Sequence, residues 1–231
     1  MRCVIIAAGM GSRLNKDVPK TLLPIGDETI LCRILHHVSQ AGIREFVIVV
    51  GYEAKQIQNY LDQNGDFGLR IRIVDNHEWR KGNGISVLTV EEVVEEEPFL
   101  LSMSDHIVSS VAIERIVNHD GSSNLLLVDP KVENVIEIDD ATKVEVVDHK
   151  IVHIGKELSR FNGIDCGIFR LNSRFFVSMR EQLKKGKESI SSAIQGLILN
   201  DDMEAVFMTE DDFWIDIDTP ESYEYALKNL D

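Results

Sequence analysis

Cys3-Val4-Ile5-Ile6-Ala7-Ala8-Gly9-Met10-Gly11-Ser12-Arg13-Leu14 decides the fold. An apolar, β-branched run breaks at two closely spaced glycines and a basic residue follows, the pattern of a buried strand ending in a loop with exposed backbone amides. Such amides can approach phosphate oxygens. Arg13, with Lys20 of Pro19-Lys20-Thr21-Leu22-Leu23-Pro24, can neutralise the charge that moves in phosphoryl transfer. The loop fits neither Walker A, which needs Gly-Lys-Ser/Thr, nor the dinucleotide motif, which needs a third glycine where Leu14 stands. Taken alone it is equally a tight strand-to-helix turn; the two cations favour a triphosphate.

Outward from this loop, strand-like and helical patterns alternate: Cys3 to Ala7, Ile30 to Ala41, Phe46 to Val50, Ala54 to Asn64, Leu69 to Asp75. That order reads as βαβ units of a parallel sheet. Ile30, Leu31, Ile34, Leu35 and Val38 have the spacing of one buried helix face. A helix over Gly84 to Val94 leads into a strand over Pro98 to Met103, with Ser104-Asp105-His106 at its carboxyl end, where open α/β sheets bind ligands. Segments Leu125 to Val128, Val135 to Ile138, Lys143 to Val147 and Ile151 to Ile154 predict an antiparallel insertion beside the main sheet. A strand at Cys166 to Arg170, helices at Ser173 to Leu183 and Ser189 to Leu199, a strand at Glu204 to Met208 and a helix from Pro220 follow. The expected architecture is an α/β, Rossmann-like, mostly parallel sheet with helices on both faces and a small antiparallel β insertion at about 125–160, all in one domain spanning 1–231.

Composition narrows the class. With 44% hydrophobic and 27% charged residues and no apolar run near the ~20 residues of a membrane span, the reading is a soluble, cytoplasmic chain without membrane insertion. A net charge of −15 excludes a nucleic-acid backbone as partner but not a nucleotide, which a local basic loop and a divalent cation can hold. Cys3, Cys32 and Cys166 are too few and too scattered for a disulfide framework. Oligomeric state is open, a homodimer included.

The run Ala7-Ala8-Gly9-x-Gly11-Ser12-Arg13-Leu14 with Pro19-Lys20-x-Leu22-x-Pro24 closely resembles the signature of the nucleotidyltransferase superfamily with the glycosyltransferase A-type fold. The resemblance implies that Ala7, Ala8, Gly9, Met10, Gly11 and Ser12 wrap base and triphosphate, that Arg13 contacts the β and γ phosphates, and that Lys20 stabilises the pentavalent α-phosphate. Gly51-Tyr52-Glu53 resembles the second nucleotide-side loop. Asp105 resembles the magnesium-binding aspartate, and Trp214-Ile215-Asp216-Ile217-Asp218 the late Trp-x-Asp segment, so Mg²⁺ is the expected cofactor. Asp216 aligns as the second ligand, and Asp218 stands where many relatives carry glycine; both remain candidates.

Lys81-Gly82-Asn83-Gly84-Ile85-Ser86 resembles cytidylyltransferases of phosphorylated polyols or amino alcohols, with Asn83 and Ser86 near the base; a helix cap is the competing reading. Ile154 to Phe169 resembles the acceptor loop of CTP:inositol-1-phosphate cytidylyltransferases, which implies Lys156 on the acceptor phosphate and Asp165, beside Gly163, on ring hydroxyls. CTP and a phosphorylated polyol are the implied substrates, feeding synthesis of an inositol-based compatible solute. The alternatives are a related transferase using a hexose 1-phosphate or phosphocholine, and a non-catalytic nucleotide-binding domain. His106 reads as a structural hydrogen-bonding partner or a metal contact.

Overall fold

Cys3, Ile5 and Ala7 point to one side of the first strand and Val4 and Ile6 to the other, and all five are buried. A strand apolar on both faces belongs at the centre of a covered sheet. The structure, a computed structural model, describes residues 1–14, 18–65, 67–121, 123–135 and 137–230. In it β1 (Arg2–Ala7) pairs in parallel with β4 (Glu45–Val50) on one flank and β6 (Phe99–Met103) on the other, and β5 (Arg70–Asp75) extends the sheet beyond β4.

The connections follow from local chemistry. A short hairpin, β2 (Pro24–Ile25) and β3 (Glu28–Thr29), delivers Thr29 as the cap of α1 (Ile30–Gln40), its hydroxyl accepting from the Cys32 N–H. The α1 stripe of Ile30, Leu31, Ile34, Leu35 and Val38 is buried as the spacing predicts, at about 1.5–3 kcal/mol per large side chain. After α2 (Ala54–Asn64) and β5 the chain crosses back over β1 to reach β6. That reversal makes a crevice outside the carboxyl ends of β1 and β6.

Beyond β6 the sheet turns mixed. Strand β11 (Gly163–Leu171) runs antiparallel between β6 and β8 (Asn124–Asp129), β12 (Met203–Phe207) is parallel to β8, and the hairpin β9 (Lys143–Val147) and β10 (Lys150–Gly155) closes the far edge. The order is β5-β4-β1-β6-β11-β8-β12-β10-β9. The N-terminal half is all parallel, while beyond β6 only the β8–β12 pair is parallel among the described residues, so "mostly parallel" gives way to a mixed sheet. The stretch expected as an insertion at about 125–160 contributes β8, β9 and β10 to the same sheet, β8 deep within it.

Two expected elements differ. The described residues of Val135 to Ile138 form no strand: a 3-10 turn at Val132–Asn134 precedes them, Glu137 has φ +60°, outside the β region, and Ile136 lies outside the described residues. The helix expected over Gly84 to Val94 splits into α3 (Asn83–Leu88) and α4 (Glu91–Val94). At the break the Thr89 hydroxyl donates to the Ser86 carbonyl, within a β-branched run that favours helix weakly.

Helices α1, α2, α5 (Ser110–Val117) and α8 (Pro220–Asn229) cover one face of the sheet; α3, α4, α6 (Arg174–Leu183) and α7 (Ile190–Ile198) cover the other. Among the described residues no helix is long and apolar enough to cross a membrane.

Candidate active site

Past β1 the backbone turns at Gly11, whose φ of +57° and 2.8 Å approach to Lys20 Cβ admit no side chain. Ala7 and Ala8 are buried, Met10 is exposed, and the Ala8 carbonyl accepts from the Tyr52 N–H at 3.0 Å, tying this loop to the one after β4. Ser12 opens a short 3-10 turn, its side chain outside the described set. Ala7, Gly9, Gly11, Arg13 and Lys20 line a cavity of about 320 Å³ together with Trp79, Asn83, Ser86 and Asp105, a size and composition that suit a nucleotide.

Lys20 is the hub. Its ammonium, 11% exposed, donates to Asp105 Oδ2 at 2.6 Å and to Asp218 Oδ1 at 2.7 Å. Burial works against the Lys20 charge, but Asp105 and Asp218 outweigh it and raise its pKa. Burial would likewise raise the Asp105 carboxyl, yet Lys20 and then His106 hold it well below the ordinary carboxylate range. Arg13 bridges Asp218 and Asp140 at the rim.

A second sheet, β7 (His106–Val108) paired antiparallel with β13 (Trp214–Asp216), brings the carboxylates of distant segments together. Its register sets Asp216 opposite His106, and the Ile217 N–H donates to the Asp105 carbonyl at 2.9 Å. Asp105, His106 and Asp216 each offer a ligand atom within 4.8 Å of one another. His106 Nδ1 lies 2.8 Å from Asp105 Oδ1, and its ring stacks on Trp214, whose indole N–H donates to Asp129 Oδ2 at 2.7 Å. Asp216 Oδ1 is buried with no hydrogen-bonding partner among the described residues. A buried carboxylate oxygen without a hydrogen bond, 3.8 Å from His106 Nδ1 and beside a second carboxylate, fits a hard cation such as a divalent metal ion. Asp218 is instead engaged by Arg13 and Lys20.

A second cavity of about 200 Å³ adjoins the first and shares Asn83, Met103, Asp105 and Asp218 with it; its polar wall also holds Lys156, the carboxylates of Glu137, Asp140, Asp165 and Asp216, and Trp214. Burial lifts the Asp165 carboxyl to about 6 despite the Gly167 N–H donated to it at 2.7 Å. Gly167, at φ +75°, leaves room for the His106 ring, which an added Cβ would meet at 2.5 Å.

Several expected residues stand elsewhere. Gly163 packs against Val128 and Val144 in the sheet and lines neither cavity. Gly51 backs on Trp79, and Glu53, exposed at the start of α2, accepts from the Gln56 side chain; neither lines a cavity. Asn83 and Ser86 line the nucleotide cavity, but Asn83 Oδ1 accepts from the Ile190 N–H and Ser86 from Asn76 Nδ2, so both serve the scaffold too. Trp79, Asp129, Asp140 and Trp214 also shape the site. The sequence signals only Trp214, within its Trp-x-Asp segment.

A glycine loop, two cations and a carboxylate cluster at the switch point of an α/β sheet define the class of phosphate-handling nucleotidyltransferases. Residues 3–134 match the model of the MobA-like NTP transferase domain, and the chain belongs to that family. A protein of Thermococcus kodakarensis described as bifunctional IPC transferase and DIPP synthase is 32% identical over 232 residues, covering 99% of this chain and 50% of its own length. One from Archaeoglobus fulgidus with the same description is 33% identical over 230 residues, covering 100% of this chain and 44% of its own length. The chain thus spans about half the length of these curated relatives. Among solved structures, the inositol-1-phosphate CTP transferase from T. maritima aligns with a TM-score of 0.87 and 23% identity, covering 99% of this chain and 95% of that one. UDP-glucose pyrophosphorylase complexed with UDP-glucose aligns with a TM-score of 0.85 and 19% identity, covering 99% and 97%. At those identities the likeness is one of fold.

Proposed function

We propose that this chain transfers the cytidylyl group of CTP to inositol 1-phosphate, releasing pyrophosphate. The observation that carries the reading is the shared wall of the two cavities: Asp105 and Asp218 border both, so a nucleotide in one and a phosphorylated acceptor in the other would meet at Lys20 and the carboxylates. Lys156 and Asp165 in the second cavity suit an anionic, hydroxyl-rich ligand. The names of the relatives point the same way.

In this reading an oxygen of the acceptor phosphate attacks the α-phosphorus of CTP. The bond from that phosphorus to the oxygen bridging the β-phosphate breaks, and pyrophosphate leaves with the electron pair. The acceptor is already anionic near neutral pH, so no protein nucleophile is needed, and catalysis reduces to alignment and charge neutralisation. Lys20 meets the charge on the α-phosphate, Arg13 turns from Asp140 and Asp218 to the departing pyrophosphate, and Lys156 holds the acceptor. Asp105 and Asp216 would hold a magnesium ion, which supplies positive charge to the phosphate oxygens.

The test is pyrophosphate release with magnesium, each common nucleoside triphosphate and a panel of phosphorylated acceptors. CTP with inositol 1-phosphate should exceed every other pair. Faster turnover with a hexose 1-phosphate would reassign the acceptor, and no turnover with any pair would leave a nucleotide-binding domain.

A further inference from the structure

Asp140, in the wall of the acceptor cavity, has one carboxylate oxygen on each substrate's cation. Its Oδ2 accepts from Arg13 Nη1 at 2.5 Å and its Oδ1 from Lys156 Nζ at 2.9 Å. Arg13 lines the nucleotide cavity, while Lys156 and Asp140 itself line the acceptor cavity. Asp140 is the one ion-pair partner of Lys156 among the described residues. A carboxylate between two cations in a phosphate-handling site occupies the place of a phosphate, with the same charge sign and the same acceptor oxygens.

We infer that Asp140 is a place-holder that couples the two substrates, so that whichever binds first displaces it and rids the second cation of that competitor for the other. This inference rests on the reading of the site as joining a nucleotide to a phosphorylated acceptor. The coupling follows from the geometry. A triphosphate that takes Arg13 must break the Arg13–Asp140 pair, and an acceptor phosphate that takes Lys156 must break the Lys156–Asp140 pair. Both pairs end on one side chain, so moving it once frees Lys156 and leaves Arg13 only its pair with Asp218, and the first ligand bears a cost that the second does not. Asp140, Arg13 and Lys156 are 42%, 49% and 49% exposed, which makes the ties weak enough for a phosphate to replace. Asp140 is a positioning residue here and takes no part in the chemistry.

The experiment is calorimetric titration of α,β-methylene-CTP with magnesium into the protein, with and without saturating inositol 1-phosphate, for the wild type, Asp140→Asn and Asp140→Glu. Inositol 1-phosphate should tighten nucleotide binding to the wild type by roughly three- to tenfold, the scale of one or two half-exposed ion pairs. Asp140→Asn should bind the nucleotide alone as tightly as the wild type does with both ligands, and inositol 1-phosphate should add nothing further. Asp140→Glu should keep the coupling. Nucleotide binding to Asp140→Asn that is unchanged or weaker, or coupling that survives the substitution, overturns the inference. A wild type that makes no pyrophosphate from CTP and inositol 1-phosphate overturns the parent reading, and the inference with it; turnover combined with coupling that is intact in Asp140→Asn overturns the inference alone.

Discussion

Asp216 faces His106 across the short β7–β13 ladder, and that single register places a carboxylate from the last strand beside Asp105, in the turn after the sixth. Asp216 and Asp218 are two residues apart yet have separate partners: Asp216 joins Asp105 and His106, whereas Asp218 holds Arg13 and Lys20. Magnesium dependence should therefore separate them. Asp216→Asn is expected to raise the magnesium concentration for half-maximal activity by about 10-fold or more, and Asp218→Asn to change it by less than about threefold. Magnesium titrations of the two variants read the difference; equal shifts would remove Asp216 as the second ligand.

Lys20→Ala removes the cation shared by Asp105 and Asp218. Loss of one preorganised charge at the reacting phosphate lowers kcat by about 10²–10³-fold. The nucleotide KM should move far less, because Arg13 and the loop amides remain. Steady-state kinetics that show a KM effect with kcat intact would place Lys20 in ground-state binding only.

Gly167→Ala combines a φ of +75° with an added Cβ 2.5 Å from the His106 ring. The strained backbone and displaced ring should cost about 2–3 kcal/mol. In a chain of this size that lowers Tm by roughly 5–10 °C. Gly11→Ala carries the same kind of backbone strain, at φ +57°, and pushes on Lys20 Cβ, so Tm and activity should both fall. Calorimetric melts and turnover of the two variants check both outcomes; a Tm unchanged in either would deny that its left-handed backbone requires glycine.

Asp212 offers a pH test away from the carboxylate cluster. Its buried carboxylate accepts from Arg115 Nη1, the Thr209 N–H and hydroxyl, and Ser109 Oγ. Burial would raise its pKa, but Arg115 and Thr209 prevail and lower it. The unfolded chain thus takes up the proton first as pH falls, so the stabilisation is complete above the unfolded value of about 4 and is lost below it. Asp212→Asn should cost about 1.5–3 kcal/mol at pH 7. Denaturant unfolding should show that gap closing as the pH drops from about 5 toward 3; a gap independent of pH would deny the charge its role.

The N-terminal half of the fold was legible because strand and helix periods there are clean: the α1 stripe and the β1 run emerge as read. The mixed half was harder. β8 and β11 are as apolar as parallel strands, and nothing local fixes direction when pairing is long-range. The hairpin-like Val135 to Ile138 pattern yields to a left-handed Glu137, a backbone choice invisible in residue type. At the site, Arg13, Lys20, Asp105 and Asp216 could be named from motif residues, and they do converge. Asp140 and Asp129 could not: each looks like any turn aspartate until tertiary contacts bring Lys156 or Trp214 to it. Gly163 erred the other way, a glycine required by Val128 packing rather than by a ligand.

The chain's two tryptophans fall one to each cavity, Trp79 in the wall of the first and Trp214 stacked on His106 in the second. Each indole therefore samples the polarity of a different compartment. Intrinsic fluorescence, resolved by replacing either with phenylalanine, turns the protein into its own two-channel optical sensor, in which the order of substrate arrival can be timed without a label.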